Sequence, residues 1–154
     1  MQGLHLTADL HDCRCSRRWL VDAHELLATS VELVRAAGLQ AVGSLSHAFP
    51  DTAQGSGGVT ATVLLAESHL CVHTWPEQAG VTLDIYVCNF SADHSDKARA
   101  LQAALEALFE PQRVERHAIE RGALRSPARP ADLSGGAGVP ATANLSNLAN
   151  FAHD

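Results

Sequence analysis

VTATVLLAESHLCVHTWPEQAGVTLDIYVCNF, residues 59–90, decides the fold. Three apolar, β-branched runs stand in it, at 59–66, 68–75 and 80–90. Only Glu67 separates the first two, and only Pro76, Glu77, Gln78 and Ala79 the last two. Links that short imply antiparallel neighbours, because a parallel crossover needs about a dozen residues or more. Working toward the N-terminus, PDTAQGSGG (50–58) is a flexible loop by composition, and 39–49 is short, apolar and β-like. Residues 17–37 carry Leu20, Leu27, Val31 and Val34 on one helical face, with Gly38 following as the C′ residue. GLHLTADL (3–10) alternates Leu4, Leu6, Ala8 and Leu10 against His5, Thr7 and Asp9, the pattern of a half-buried strand. Toward the C-terminus, 91–109 is a second helix with Ala98, Leu101, Leu105 and Leu108 as its stripe, Ser91 as its N-cap and Pro111 beyond its end. Residues 112–120 alternate again, as a last strand.

The order is β-α-β-β followed by β-β-α-β. It predicts an α+β fold, a two-layer sandwich of an antiparallel sheet with two helices on one face. Residues 1–120 make that domain. Residues 121–154, rich in Pro, Gly and Ala and without period, read as a flexible C-terminal tail.

The 154 residues are 46% hydrophobic and 18% charged, enough apolar material for a core and too much for wholesale disorder. No stretch approaches the ~20 apolar residues of a membrane span. The opening MQGLHLTADLHD lacks a basic start followed by an apolar run, so the expectation is a cytoplasmic protein with no membrane partner. A net charge of −6 argues against nucleic acid. Without export, Cys13, Cys15, Cys71 and Cys88 are expected as reduced thiols.

Residues 67–77 read Glu-Ser-His-Leu-Cys-Val-His-Thr-Trp-Pro-Glu. Polar side chains at this density inside a strand-rich core are expensive to bury without partners. Three readings stand side by side. One is a strand with a hydrogen-bonded polar face. The second is zinc: His69, Cys71 and His73 project to one face of a strand, with Cys88 or His47 as a fourth ligand. The third is nucleophilic chemistry, with Ser68 as nucleophile, His73 as base and Cys88 as a second reactive group.

ESHLCVHTWPE followed by DIYVCN closely resembles the processing-site motif of the prokaryotic S-adenosylmethionine decarboxylases, which carry a self-generated pyruvoyl group. The resemblance extends to HLTADLHDC, to His47-Ala48-Phe49 and to the strand order, over roughly residues 3–120. It implies self-cleavage between Glu67 and Ser68. The Ser68 hydroxyl attacks the preceding carbonyl, and an N→O acyl shift turns the amide into an ester. Loss of the Ser68 α-proton expels the ester and leaves a dehydroalanine. Hydrolysis of its imine form then releases ammonia and leaves the pyruvoyl group. His73 matches the processing base, since an imidazole suits proton abstraction at neutral pH. Thr60 stands where the family's second processing residue is a serine, and keeps the hydroxyl. In the mature protein the pyruvoyl group made from Ser68 is the electron sink that takes the substrate amine as a Schiff base. Cys88 matches the proton donor to the substrate α-carbon. Glu77 matches the acidic substrate ligand, with Trp75 and Phe49 near the expected pocket wall, and no metal is implied. The family assembles as homodimers, and the sheet's bare face needs cover.

The sequence departs from the family pattern in the longer loop with Gly55-Ser56-Gly57-Gly58, in Asn89 after Cys88, in Val81-Thr82-Leu83 and in everything beyond Arg121. The leading expectation is decarboxylation of S-adenosylmethionine, giving the aminopropyl donor for spermidine. Relatives of the same chemistry act on ornithine or arginine, giving putrescine or agmatine, and here Asp84, Glu77 and Asp51 are the carboxylates for a distal cation. A non-catalytic, zinc-stabilised or regulatory homologue is the second alternative.

Overall fold

Leu4, Leu6, Ala8 and Leu10 are all buried in the structure, a computed structural model that describes residues 2–53 and 55–122. They form one face of β1 (Gly3–His11). The same alternation buries Val59, Ala61, Val63 and Leu65 of β3 (Val59–Leu65), Leu70, Val72 and Thr74 of β4 (Ser68–Trp75), and Val81, Leu83, Ile85 and Val87 of β5 (Gly80–Cys88). With β2 (Ala41–Ala48) and β6 (Arg113–Arg121) they make one six-stranded sheet in the order β2-β3-β4-β5-β1-β6, antiparallel at every pairing. This is the expected α+β architecture. β3-β4 and β4-β5 are hairpins, as their short links require, and β2-β3 is a hairpin closed by the longer loop 49–58.

Two long helices cover the apolar face. α2 (Ala23–Ala36) lies over β2 and β3, and α3 (Ser95–Phe109) over β1 and β5. Leu26, Val34, Ala98, Leu101, Leu105 and Phe109 fill the space between helices and sheet. The helix expected at 17–37 is broken into α1 (Arg18–Val21) and α2 at Asp22. The Asp22 backbone is extended (φ −94°, ψ 102°), and its carboxylate accepts from the N–H groups of His24 and Glu25, both at 3.0 Å. An N-cap of this kind stabilises by about 1 kcal/mol, which apolar periodicity alone does not register. At the other end Gly38 stands at φ +76°, and Leu39 N–H and Gly38 N–H return to the carbonyls of Val34 and Arg35. That is the Schellman closure expected of a C′ glycine. α3 starts four residues later than expected and Ser91 does not cap it. The Ser91 N–H is committed to the Glu67 carboxylate, while Asp93 accepts from Ser95 N–H.

Among the described residues no helix lies on the other sheet face. That face carries His5, Thr7 and Asp9 of β1, Thr82, Asp84, Tyr86 and Cys88 of β5, His69, Cys71 and His73 of β4, and Thr60 and Thr62 of β3. Arg121 is the last residue of β6, so the domain reaches one residue past the expected boundary. Residues 123–154, on which the rest of the expected tail falls, lie outside the described residues. Among the described residues no helix is long and apolar enough to cross a membrane.

Candidate active site

The turn between β3 and β4 places Glu67 and Ser68 opposite the end of β5. Ser68 pairs with Val87, and the Cys88 N–H donates to the Glu67 carbonyl at 3.2 Å. The Ser68 hydroxyl oxygen is buried and has no hydrogen-bond partner among the described residues. A buried hydroxyl without a partner costs free energy, and this one adjoins a carbonyl that already accepts a backbone N–H. The Glu67 side chain is pinned as well. Its carboxylate accepts from Phe90 N–H at 3.1 Å and Ser91 N–H at 3.3 Å, with His94 Nε2 at 3.6 Å. Hydrogen bonding from Ser91 first, then from Phe90, and the nearby His94 hold this carboxyl below its ordinary range. The loop that does this is itself tied. Asn89 N–H donates to the Gln2 carbonyl, and the Asn89 side-chain oxygen accepts from His94 N–H at 2.9 Å.

A second group of residues sits at the opposite end of the same strands. Thr60 and His73 are register partners, and Thr60 Oγ1 lies 2.9 Å from His73 Nδ1. That contact occupies Nδ1 and leaves Nε2 as the nitrogen available for proton transfer. Beside them is a cavity of about 410 Å³ whose walls include Phe49, Thr60, His73, Trp75 and Glu77. The glycine-rich loop closes one side because it has no side chains where it crosses its neighbours. A Cβ on Gly57 would lie 2.1 Å from the Phe49 carbonyl oxygen, and one on Gly58 2.0 Å from that of Thr74. Asp51 steadies the loop by accepting from Gly57 N–H at 3.0 Å. The buried Thr74 hydroxyl accepts from Val59 N–H and donates to the Leu20 carbonyl, both at 2.7 Å, and so ties α1 to this end of the sheet.

The predicted residues therefore fall into two sets. Glu67, Ser68 and Cys88 meet through the main chain at one end, with the Ser68 side chain on the helix-covered face beside Leu70 and the Cys88 thiol on the open face; Thr60, His73, Phe49, Trp75 and Glu77 gather at the other end. Within one chain the sets do not meet: five residues of extended strand separate Ser68 from His73, about 16 Å at ~3.3 Å each. The two carboxylates other than Glu77 that were candidates for a distal cation are otherwise engaged. Asp51 holds the loop, and Asp84 takes His5 Nε2 at 2.9 Å and His69 Nε2 at 3.3 Å. The zinc set dissolves in the same way. His69 is on Asp84, Cys71 on Thr62 Oγ1 at 3.3 Å, His73 on Thr60, and His47 stacks edge-on against Phe49 at 5.1 Å. Among the described residues no three His, Cys, Asp or Glu side chains converge as a metal site. Sequence reasoning missed Thr74, Tyr86 and the Asn89–Ser95 loop. Only the Asn-x-x-x-Asp-His-Ser run, dense in side chains that cap backbone N–H groups, signalled that loop.

Residues 4–122 match the family described as S-adenosylmethionine decarboxylase. An S-adenosylmethionine decarboxylase proenzyme of Parasynechococcus marenigrum is 33% identical over 132 residues, which is 86% of this chain and 92% of that protein. One from Aquifex aeolicus is 36% identical over 121 residues, 78% of this chain and 81% of that protein. The crystal structure of an adenosylmethionine decarboxylase from Aquifex aeolicus superimposes with a TM-score of 0.68 at 30% identity, covering 82% of this chain and 96% of that one.

Proposed function

We propose that this chain, which belongs to the S-adenosylmethionine decarboxylase family, is a proenzyme that cuts itself between Glu67 and Ser68, carries a pyruvoyl group made from Ser68, and decarboxylates S-adenosylmethionine as a homodimer. The observation that carries the reading is the Glu67 carbonyl, which accepts the Cys88 N–H beside the unpartnered Ser68 hydroxyl. When Ser68 Oγ attacks that carbonyl carbon, negative charge develops on the carbonyl oxygen. A backbone N–H already aimed at it stabilises the charge without reorganisation. Glu67, held through its own side chain by Phe90 and Ser91, keeps the carbonyl in place. The acyl group moves from nitrogen to oxygen. Removal of the Ser68 α-proton then expels the Glu67 carboxylate and leaves the precursor of the pyruvoyl group.

That proton needs a base, and His73 of the same chain is about 16 Å away along β4. A two-fold axis through the open face near Cys71 and Asp84, midway along the strands, lays the His73 end of one protomer over the Ser68 end of the other. Exposed apolar side chains on that face support such a contact: Leu45 (76% exposed), Leu64 (52%) and Ile119 (48%). Each complete site then takes Glu67, Ser68 and Cys88 from one protomer and Thr60, His73, Phe49, Trp75 and Glu77 from its partner. The pyruvoyl group supplies the electron sink for the electrons left by the departing carboxylate. The chain's own residues do the rest. Cys88 delivers the proton to the α-carbon, Glu77 holds a cationic group, and Phe49 and Trp75 offer flat apolar walls. With Asp51 and Asp84 engaged elsewhere, one carboxylate and two aromatics suit adenine and sulfonium better than the ammonium or guanidinium end of ornithine or arginine.

Intact mass of the denatured protein tests the reading. Two chains divided between Glu67 and Ser68, the second beginning with a ketone, are expected. Carbon dioxide release should be fastest from S-adenosylmethionine among the three substrates. Cys88→Ala retains the N–H and should still cut while losing turnover. A single uncut wild-type chain refutes the proposal.

A further inference from the structure

Gly3 and Cys88 are register partners on β1 and β5, and the ring of Tyr86 lies across Gly3. A Cβ at Gly3 would sit 2.9 Å from Tyr86 Cε2 and 3.0 Å from its hydroxyl oxygen. The missing side chain at position 3 is what lets the phenol reach the strand position beside Cys88. The ring is held there from three sides. The Arg121 guanidinium stands 5.1 Å from its centroid, and the His5 and His69 rings at 5.7 and 6.0 Å. Those neighbours are themselves ordered. Arg121 contacts His5 Nδ1 at 3.3 Å, and Asp84 takes Nε2 of both histidines. The Tyr86 phenol is held above its ordinary value, by its interaction with the Cys88 side chain first and by burial second.

We propose that Tyr86 is a positioning residue for Cys88, its hydroxyl donating to the sulfur and stabilising the thiolate left when Cys88 gives its proton to the substrate. The inference rests on the proton-donor role assigned to Cys88 above. In that step, after carbon dioxide has gone, the Cys88 S–H bond breaks and a C–H bond forms at the substrate α-carbon. Sulfur keeps the electron pair, the Tyr86 O–H bonds to it, and solvent returns a proton before the next turnover. If the proton instead reaches the carbon derived from Ser68, hydrolysis releases the substrate as an aldehyde. Its nitrogen then stays behind in an alanine at position 68.

Tyr86→Phe keeps the ring over Gly3 and removes only the hydroxyl; Tyr86→Leu removes both. A donor to a charged group is worth roughly tenfold at a part-exposed site. Both variants should cut themselves at the wild-type rate, turn over about tenfold more slowly, and accumulate alanine-terminated chain in the intact mass during turnover. Full recovery in Tyr86→Phe would assign Tyr86 to packing and overturn the inference. A second comparison uses the uncut Ser68→Ala chain, where iodoacetamide labelling is mapped to Cys88 by peptide mass. Adding Tyr86→Phe should slow that labelling severalfold, and an unchanged rate overturns the contact. Because labelling needs no pyruvoyl group, a wild-type chain that never cuts would sink the proposed function and still leave this contact decided.

Discussion

Mixing two inactive variants should restore cleavage. Ser68→Ala has no nucleophile and keeps His73; His73→Ala has the nucleophile and no base. Ser68 and His73 lie about 16 Å apart on β4, whereas proton abstraction needs the base within ~3 Å. β4 is hydrogen-bonded on both sides, to β3 and to β5, so the strand cannot fold back to close that gap. Each variant alone should therefore stay uncut. In a two-fold dimer the mixed pair regains one complete site: Ser68 of the His73→Ala chain against the base of the Ser68→Ala chain. Equal co-expression with random pairing puts about half of the dimers in the mixed form, so about a quarter of all chains should be cut. The mirror experiment pairs wild type with a Ser68→Ala, His73→Ala double variant. About half of the wild-type chains should then remain whole, because their partners bring no base. Denaturing gels with intact mass read both results. A mixture that cuts no more than His73→Ala alone would refute the cross-protomer arrangement. A His73→Ala chain that cuts at the wild-type rate would remove His73 from processing altogether.

Further outcomes follow from single contacts. Thr74→Val leaves the Val59 N–H and the Leu20 carbonyl unpaired in a buried place, at a cost of about 1–3 kcal/mol in denaturant unfolding, while Thr74→Ser should lose much less. Gly58→Ala drives a Cβ to 2.0 Å from the Thr74 carbonyl oxygen, so the loop must shift; stability should fall by about 1–3 kcal/mol, with a raised KM as its activity signature. The Glu67 carboxyl is held low by Ser91, Phe90 and His94. Its stabilising contribution is therefore present above the ordinary carboxylate range and lost as pH falls through the depressed value. Phe90 and Ser91 amide protons should lose exchange protection on acidification in wild type, and be less protected at neutral pH in Glu67→Gln, which should also cut severalfold more slowly.

Strand content was legible because alternation is written directly into 59–65, 68–75 and 80–88, and hairpin links leave antiparallel order as the economical solution. Helix ends were less so. Asp22 breaks an apolar period that runs through it, and only its carboxylate on His24 and Glu25 reveals the break. Ser91 looked like a cap because it precedes the helical stripe; α3 begins only at Ser95, beyond the reach of its side chain, and the Ser91 N–H goes to Glu67. Of the site, the motif gave residue types and no distances. That Ser68 and His73 sit at opposite ends of one strand follows from their spacing once the segment is known to be extended. The approach of the Tyr86 ring to Gly3, beside Cys88, was not legible, because it depends on the register that brings Gly3 opposite Cys88.

In the proposed function Cys88 serves at two stages, and the register is what allows it. β4 enters the sheet at Ser68, and its pairing with Val87 sets the next residue of β5 against the turn just before the cut. The main chain of that residue meets the Glu67 carbonyl, and its side chain lies on the open face. Before cleavage only the N–H is needed, and any residue but proline supplies it. After cleavage only the thiol is needed. The two requirements fall on different atoms of one position, which is why truncating the side chain should separate turnover from cleavage. The partner protomer's base and aromatic walls have no such link to the scissile turn. In the proposed dimer they arrive from another chain, because the spacing along β4 keeps them from the Ser68 end of their own.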